Sequence, residues 1–191
     1  VAISFIYPLL ATYLLTGGRE TEVLGLEVDD VNFERKTVTF RPNGWRRLKT
    51  RTSHRTVPLW PQLEQILRDY LTVTPRVGLL FPSPRVGAPG MLSDFRKTLD
   101  AVVKRAGWKD GEVRSKAFRH TYCAARLQTL DSGAPVSVYT VAKELGHGGD
   151  ALVKRVYGHL GSVRHRSGVM EYRVEQHKAQ LTAGLSLLRK A

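Results

Sequence analysis

Residues 29–60 constrain the fold of this chain most, because β-branched and aromatic residues alternate there with polar ones. Alternation with a period of two is typical of half-buried strands, and it predicts strands over 29–41 and 51–60. Pro42-Asn43-Gly44 lies between these two segments and carries a hairpin-turn signal. We therefore expect a small antiparallel sheet in this part of the chain.

Helical patterns precede and follow the predicted sheet. An apolar stretch over 3–16 predicts a core helix that ends at Gly17-Gly18, and a short helix follows over 20–26. A helix with Pro61 in its first turn runs to about Leu71, with apolar residues at i, i+3, i+4 and i+7. Further helices are predicted over 93–105, 115–130, 137–145, 151–157 and 167–190. The expected fold class is α+β, mostly α-helical with a small antiparallel β-sheet, in one domain of 191 residues.

Charge and cysteine content narrow the class of function. The net charge is +13, from 30 Lys and Arg against 17 Asp and Glu, which indicates a polyanionic partner, first of all nucleic acid. Cys123 is the only cysteine, which excludes an internal disulfide and a cysteine-rich zinc site and favours a reducing cytoplasm. The apolar run over 1–15 contains Pro8 and is shorter than the roughly 20 residues of a membrane helix, so we expect it in the core.

Tyr157 is the residue most informative about chemistry. A phenol has a pKa of about 10 and is a poor nucleophile at neutral pH unless cations surround its target. The sequence places such cations in four separated regions, at Arg19, Lys49, Lys116 with Arg119, and His147. This set is suited to attack on a phosphodiester and predicts a domain that cuts and rejoins DNA strands.

Five short motifs resemble those of tyrosine recombinases, the phage integrase family. They stand at 16–26 (TGGRETEVLGL), 49–59 (KTRTSHRTVPL), 116–121 (KAFRHT), 145–147 (LGH) and 157–159 (YGH). They occur in the order that the family shows and are spread over most of the chain, from residue 16 to residue 159. The resemblance is carried by the set, because each motif alone is short.

The resemblance implies a role for each matched residue. Tyr157 would attack the scissile phosphorus, form a 3′-phosphotyrosine and release a 5′-hydroxyl. Arg19 and Arg119 would bind the non-bridging oxygens, for which a planar, permanently charged guanidinium is suited. Lys49 would protonate the leaving oxygen, and His147 would donate a hydrogen bond to the phosphate or assist proton movement. Charge-stabilising donors of this kind are worth roughly 3–4 kcal/mol each.

Two residues beside the arginines need separate interpretation. Glu22 follows Arg19 by three residues on one side of a helix, and we expect it to support the basic cluster by accepting hydrogen bonds. Lys116 stands where the family usually has histidine. It could contact the phosphate or assist with the tyrosine's proton, although a lysine at its usual pKa of about 10.4 is a poor base. His120 is adjacent to Arg119, but the spacing favours Lys116 for the family position.

The expected partner is double-stranded DNA. The run from 41 to 55 lacks any acidic residue, and we predict phosphate contacts from Arg46, Arg47 and Arg51. The resemblance implies a homotetramer on two duplexes, in which residues 167–190 either exchange between neighbours or pack on their own domain. It also implies a separate N-terminal DNA-binding domain, to which nothing in residues 1–191 corresponds.

No cofactor and no metal site are expected, because the chemistry needs none and the sequence shows no carboxylate cluster for magnesium. We expect no membrane association and a location in the cytoplasm of a prokaryotic cell, at the nucleoid when DNA is bound. Two alternative functions stay open. One is a type IB topoisomerase-like enzyme that nicks and reseals DNA without exchange of partners. The other is a DNA-binding regulator that has the fold but does not carry out the reaction. Only Lys116, at the position where the family usually has histidine, favours this second alternative.

Overall fold

The structure, a computed structural model, describes residues 5–48, 50–74, 77–84, 90–92, 95–109, 111–131 and 134–157. The helices are α1 (Ile6–Thr16), α2 (Glu20–Leu24), α3 (Pro61–Leu71), α4 (Arg96–Arg105), α5 (Ser115–Leu127), α6 (Val138–Glu144) and α7 (Ala151–Tyr157). The strands are β1 (Val31–Asn32), β2 (Thr37–Phe40), β3 (Arg55–Pro58), β4 (Leu130–Asp131) and β5 (Ala134–Pro135). The expected class, mostly helical with a small antiparallel sheet, is confirmed.

Helix α1 ends where the sequence predicts, and the reason is the backbone of Gly17. This residue has a φ of 62° and donates its N–H to the carbonyl of Tyr13, a left-handed C-cap that glycine adopts without steric cost. A Cβ atom at this position would lie 2.6 Å from Cδ1 of Tyr122 in α5. Gly17 therefore permits both the helix end and the close approach of α1 to α5.

The sheet differs from the predicted hairpin. Strands β1, β2 and β3 pair in that order and antiparallel, with Val31 opposite Val38 and Phe40 opposite Arg55. The predicted continuous strand over 29–41 is wrong, because a turn over 33–36, with Lys36 at a φ of 55°, divides it into two strands. The tight hairpin at 42–44 is also wrong, since β2 ends at Phe40, β3 begins only at Arg55, and a 3₁₀ turn at Arg51–Ser53 precedes β3.

Most helix predictions are confirmed within a few residues. Helix α3 has the predicted bounds and begins with Pro61 in its first turn. Helix α6 begins after Ser137, whose side chain accepts a hydrogen bond from the N–H of Thr140, as an N-cap residue does. The predicted helix over 115–130 ends at Leu127, and the hairpin of β4 and β5 that follows was not predicted. The first two residues of the predicted helix over 93–105 and the predicted C-terminal helix over 167–190 lie outside the described residues.

Two hydrophobic clusters form the core of the part of the chain that the structure describes. The larger one joins α1 to α4 with the three-stranded sheet and includes Leu9, Tyr13, Val38, Phe40, Leu63 and Phe81. The smaller one joins α5, α6 and α7 and includes Tyr122, Cys123, Val141, Leu145 and Val153. The two clusters adjoin where α1 packs against α5 and β3 packs against α6, and the polar residues of the candidate site lie at this boundary. No helix in the described part of the chain is long and apolar enough to cross a membrane.

Candidate active site

Two arginines that are far apart in sequence meet at the loop after α6. Arg19 precedes α2, and its Nη2 donates to the carbonyl of Gly146 over 3.5 Å. Arg119 lies in α5 and donates from Nη1 to the carbonyl of Gly17 over 2.7 Å and from Nη2 to that of Leu145. The fold thus brings together the first, third and fourth cationic regions of the sequence.

Arg19 is positioned by the helix that it caps. Its backbone N–H donates to Oε2 of Glu22 and its Nη1 to Oε1 of the same carboxylate, both over 2.8 Å. Nη1 also donates to the hydroxyl of Ser53 over 3.2 Å. The Arg19 side chain keeps 29% of its surface exposed, whereas Glu22 keeps 3%. The guanidinium is therefore fixed from the protein side and open toward solvent.

Arg55 is a site component that the sequence analysis did not assign a role. It is buried in β3, and its Nη2 donates to Oε2 of Glu22 over 2.9 Å. Its Nε donates to the carbonyl of Glu144 over 2.6 Å, and its Nη1 to that of Ser53 over 2.9 Å. The guanidinium lies 4.3 Å from the ring centre of Phe40. Arg55 thereby ties the carboxylate that orients Arg19 to the end of α6.

Glu22 is ionised within this cluster. Burial alone would raise its pKa, but the hydrogen bond and the charge of Arg55, together with the two contacts from Arg19, lower the pKa to about 2. One carboxylate therefore faces Arg19 and Arg55 and lies near Arg119, so the cluster keeps an excess of positive charge. The predicted supporting role of Glu22 has the contacts that it requires.

His147 follows this loop and contacts Arg119. Its Nε2 lies 3.0 Å from Nη2 of Arg119. Because a guanidinium only donates, Nε2 is the acceptor and the proton of the neutral ring is assigned to Nδ1. Burial first, and then the charges of Arg119, Arg19 and Arg55, lower the pKa of His147 to about 4. Burial and the charges of Arg19 and Arg55 likewise lower the pKa of Arg119, to about 10.

Nδ1 of His147 is buried and has no hydrogen-bond partner among the described residues. An unpartnered buried donor costs about 1–3 kcal/mol, and such a group needs an explanation. Here the donor belongs to a ring that also touches Arg119 and whose pKa is lowered by the nearby charge of Arg19. An anion with several acceptor oxygens, placed in this cluster, would supply the missing partner.

Tyr157 is the last residue of α7, and its hydroxyl makes a hydrogen bond to Nδ1 of His120. The two rings lie 5.8 Å apart, centre to centre. Burial and the nearby Cys123 raise the pKa of Tyr157 to about 12, against an opposing effect of the charge of Arg119. The hydroxyl is thus held next to the residue that follows Arg119 in α5.

Of the two lysines predicted to act in the site, the structure describes Lys116 but not Lys49. Lys116 is exposed on α5, one turn before Arg119, and in the described part of the chain it makes no hydrogen bond or ion pair. It is free to contact a ligand. Lys49 lies outside the described residues.

The three arginines predicted to contact phosphate, Arg46, Arg47 and Arg51, have different outcomes in the structure. Arg46 is buried, with its Nη2 3.2 Å from Oδ2 of Asp30 and its Nε donating to the carbonyl of Arg41 over 3.0 Å. A guanidinium used inside the protein in this way cannot reach DNA, so the prediction for Arg46 is wrong. Arg47 is exposed and stays a predicted contact. The side chain of Arg51 lies outside what the structure describes.

A second buried network supports the end of α6. Oε1 of Glu144 accepts from Nη2 of Arg126 over 2.7 Å, and Oε2 accepts from Nε of Arg126 and from the hydroxyl of Tyr122, each over 2.9 Å. The Arg126 guanidinium lies 5.0 Å from the ring centre of Trp60. Because Arg55 binds the backbone carbonyl of Glu144, this network holds in place the helix end from which the 145–147 loop starts.

A protein family and several named proteins match most of this chain. The sequence model described as "Phage integrase family" matches residues 6–162. Tyrosine recombinase XerC of Mycobacterium sp. (strain KMS) is 29% identical over 160 residues, which are 80% of this chain and 48% of the relative. Tyrosine recombinase XerD of Corynebacterium glutamicum is 30% identical over 152 residues, which are 76% of this chain and 45% of the relative. The chain therefore spans about half the length of the curated relatives that it matches.

Solved structures share the fold. The Tn1549 transposon integrase in complex with circular intermediate DNA superposes with a TM-score of 0.65 at 19% identity, over 87% of this chain and 59% of that one. The XerA recombinase gives a TM-score of 0.62 at 21% identity, over 88% and 56%. The catalytic domain of bacteriophage HP1 integrase gives 0.53 at 20% identity, over 85% and 79%. At these identities the likeness concerns the fold alone.

Proposed function

This chain belongs to the phage integrase family, and we propose that it is the catalytic domain of a site-specific recombinase, formed by residues 1–191. In this proposal it cuts and rejoins DNA strands through a covalent 3′-phosphotyrosyl intermediate. Relatives named tyrosine recombinase, 29% and 30% identical to this chain, support the assignment.

The observation that carries the proposal is the meeting of Arg19, Arg119 and His147 at one loop. The two guanidinium groups would bind the non-bridging oxygens of one phosphodiester, with the Nδ1–H of His147 as a further donor. Negative charge grows on these oxygens in the transition state, so donors fixed in advance stabilise it more than the ground state. Glu22 and Arg55 hold the cluster without taking part in the reaction.

Tyr157 is the proposed nucleophile. Its oxygen forms a bond to phosphorus while the bond from phosphorus to the 5′-oxygen breaks. Lys49 is the proposed general acid that gives a proton to this 5′-oxygen, and Lys116 is proposed to contact the phosphate. Because the new phosphotyrosyl bond conserves the energy of the broken bond, the 5′-hydroxyl of another strand can reverse the attack without ATP.

The proposed partner is double-stranded DNA. A net charge of +13 and the exposed Arg47 support electrostatic binding to the phosphate backbone. The proposal includes a homotetramer that joins two duplexes, with 167–190 as the segment that contacts a neighbour. Because the relatives come from bacteria, the proposal includes a location in the cytoplasm of a prokaryotic cell, at the nucleoid when DNA is bound.

A pool of nicked suicide duplexes of random sequence tests the function without a known target site. After cleavage next to the nick, a short fragment diffuses away and leaves the protein covalently attached to DNA. We expect a denaturant-stable adduct with the wild type and with Tyr139→Phe, a control at an exposed tyrosine of α6, but none with Tyr157→Phe. Binding without an adduct would instead favour a regulator. Relaxation of one supercoiled circle without exchange between two duplexes would favour a topoisomerase-like enzyme.

A further inference from the structure

The hydroxyl of Tyr157 has a polar neighbour that the family pattern does not assign to it. Nδ1 of His120 makes a hydrogen bond to this hydroxyl, and the rings are tilted by 49° at 5.8 Å between centres. His120 lies in α5, exposed, directly after Arg119. The side chain that touches the attacking atom is therefore adjacent in sequence to one that would bind the phosphate.

Lys116 and His147 are the two other residues that could accept the proton of Tyr157, and both are less well placed to do so. Lys116 makes no hydrogen bond to Tyr157 in the part of the chain that is described, and an ammonium group has donors but no acceptor site. The lone pair of His147 at Nε2 is occupied by Arg119 over 3.0 Å, and its Nδ1 carries a proton in the assigned ring form. The imidazole of His120 touches the phenol through a ring nitrogen that can accept a proton, which makes it the better acceptor.

We propose that His120 is a further catalytic residue, which accepts the phenol proton when Tyr157 attacks DNA. The proton moves from Oη of Tyr157 to Nδ1 of His120 as the Oη–P bond forms and the bond from phosphorus to the 5′-oxygen breaks. The leaving oxygen takes its proton from the general acid. In the reverse reaction, the imidazolium of His120 returns its proton to the departing phenolate, so the cycle neither consumes nor releases a proton at this pair.

This inference rests on the proposed function, and its test uses a duplex recovered from the suicide pool described above. The rate of adduct formation is measured for the wild type, His120→Gln and Lys116→Gln. Loss of a general base lowers rates by typically 10²–10⁴-fold, and we expect at least about a hundredfold for His120→Gln. Because His120 is exposed, this variant should fold normally, which its urea midpoint verifies.

A more acidic phenol separates proton acceptance from positioning. With 3,5-difluorotyrosine at position 157, the phenol is more acidic than that of tyrosine, so its proton leaves more readily and attack depends less on a base. We expect the fluorinated residue to close a large part of the gap between His120→Gln and the wild type, and to leave any defect of Lys116→Gln as it was. Rescue of Lys116→Gln instead of His120→Gln would overturn the proposal, as would a His120→Gln rate within about threefold of the wild type.

A measurement without DNA tests the contact itself. The ¹⁹F resonance of difluorotyrosine 157 should shift in His120→Gln and stay in place in Lys116→Gln. An unmoved resonance in His120→Gln would contradict the contact between residues 120 and 157.

Failure of the proposed function has a different signature: the wild type then forms no adduct with any duplex, and the catalytic role of His120 is rejected with it. An adduct that forms equally well without His120 rejects this inference alone.

Discussion

Arg119 donates a hydrogen bond from Nη2 to Nε2 of His147 over 3.0 Å. Because a guanidinium can only donate, Nε2 of His147 accepts through its lone pair, and the imidazole ring is neutral. The N–H of the ring is then at Nδ1, which is buried and has no hydrogen-bond partner among the described residues. The same contact fixes the loop after α6 against α5. The two residues link the motif at 116–121 directly to the motif at 145–147.

The first prediction concerns acid stability. The pKa of His147 is lowered from an ordinary 6.5 to about 4 by burial and by Arg119, Arg19 and Arg55, so between these values the unfolded chain binds a proton that the folded one does not. Stability is therefore fully present above about pH 6.5 and falls as the pH drops toward 4. Urea midpoints at about pH 7 and pH 5 should differ more for the wild type than for His147→Gln. Equal differences would contradict this assignment.

The second prediction concerns the buried carboxylate. Glu22→Ala removes the acceptor of Arg19 and leaves Arg55 buried without its ion partner, which should lower the free energy of unfolding by about 3–5 kcal/mol. Glu64→Ala is the matched control, because its partners Lys36 and Arg68 are half exposed and such pairs contribute at most about 1 kcal/mol. Both variants are compared by urea unfolding. Similar losses in the two would refute the special role of the Glu22 cluster.

The third prediction separates backbone strain from a steric clash. Gly17 and Gly78 both have a positive φ, of 62° and 82°, but a Cβ would meet Tyr122 at 2.6 Å only at Gly17, and nothing within 4 Å at Gly78. Gly78→Ala should therefore cost about 1–2 kcal/mol of unfolding free energy from the left-handed backbone. Gly17→Ala should cost a further 1–3 kcal/mol or so from overpacking. Thermal or urea unfolding of both variants measures the difference, which would vanish if α5 could move away freely.

The fourth prediction contrasts two neighbouring arginines. Arg47→Gln should weaken binding to a short random-sequence duplex and reduce the slope of log affinity against log salt by about one, because an exposed phosphate contact is lost. Arg46→Gln should leave that slope unchanged and instead lower the free energy of unfolding by about 3 kcal/mol, since Asp30 loses a buried partner. Fluorescence anisotropy over a salt series and urea unfolding test both. An altered slope in Arg46→Gln would restore its predicted role at the DNA.

The same pair shows what the sequence could and could not predict. Helices such as α1 and α3 follow from local signals: a Gly-Gly stop, a proline in the first turn and the spacing of apolar residues. The choice between Arg46 and Arg47 does not, because a basic run looks the same whether its side chains face Asp30 or solvent. Burial in an irregular connection depends on tertiary packing, which periodicity cannot reveal.

The position of Arg55 in its strand is a sequence signal that predicts a buried ion pair. It shares a strand face with Val57, and both are buried. An arginine at a core-facing position of a strand requires a buried carboxylate, since an unpaired buried charge is very costly, and Glu22 is that partner. The contact between Tyr157 and His120 had no comparable signal. It joins residues 37 positions apart and depends on how α7 packs against α5.

The turn over 33–36 shows a limit of period-two patterns. Segment 29–41 alternates well enough to predict one strand, yet Asn32 accepts hydrogen bonds from the N–H groups of Glu34 and Arg35 through its side chain. Such local bonds stabilise a turn against continuation of the strand. The result is a three-stranded sheet in which β3, and with it Arg55, lies beside the central strand.

The most direct test of the account is the chemical identity of the covalent link. Adducts from a nicked suicide duplex are digested with trypsin and nuclease, and the modified peptide is sequenced by mass spectrometry while the released DNA end is analysed. We predict a nucleotide joined through its 3′-phosphate to Tyr157, together with a free 5′-hydroxyl on the other fragment. A link to any other residue, or a 5′-phosphoryl link to Tyr157, would contradict it.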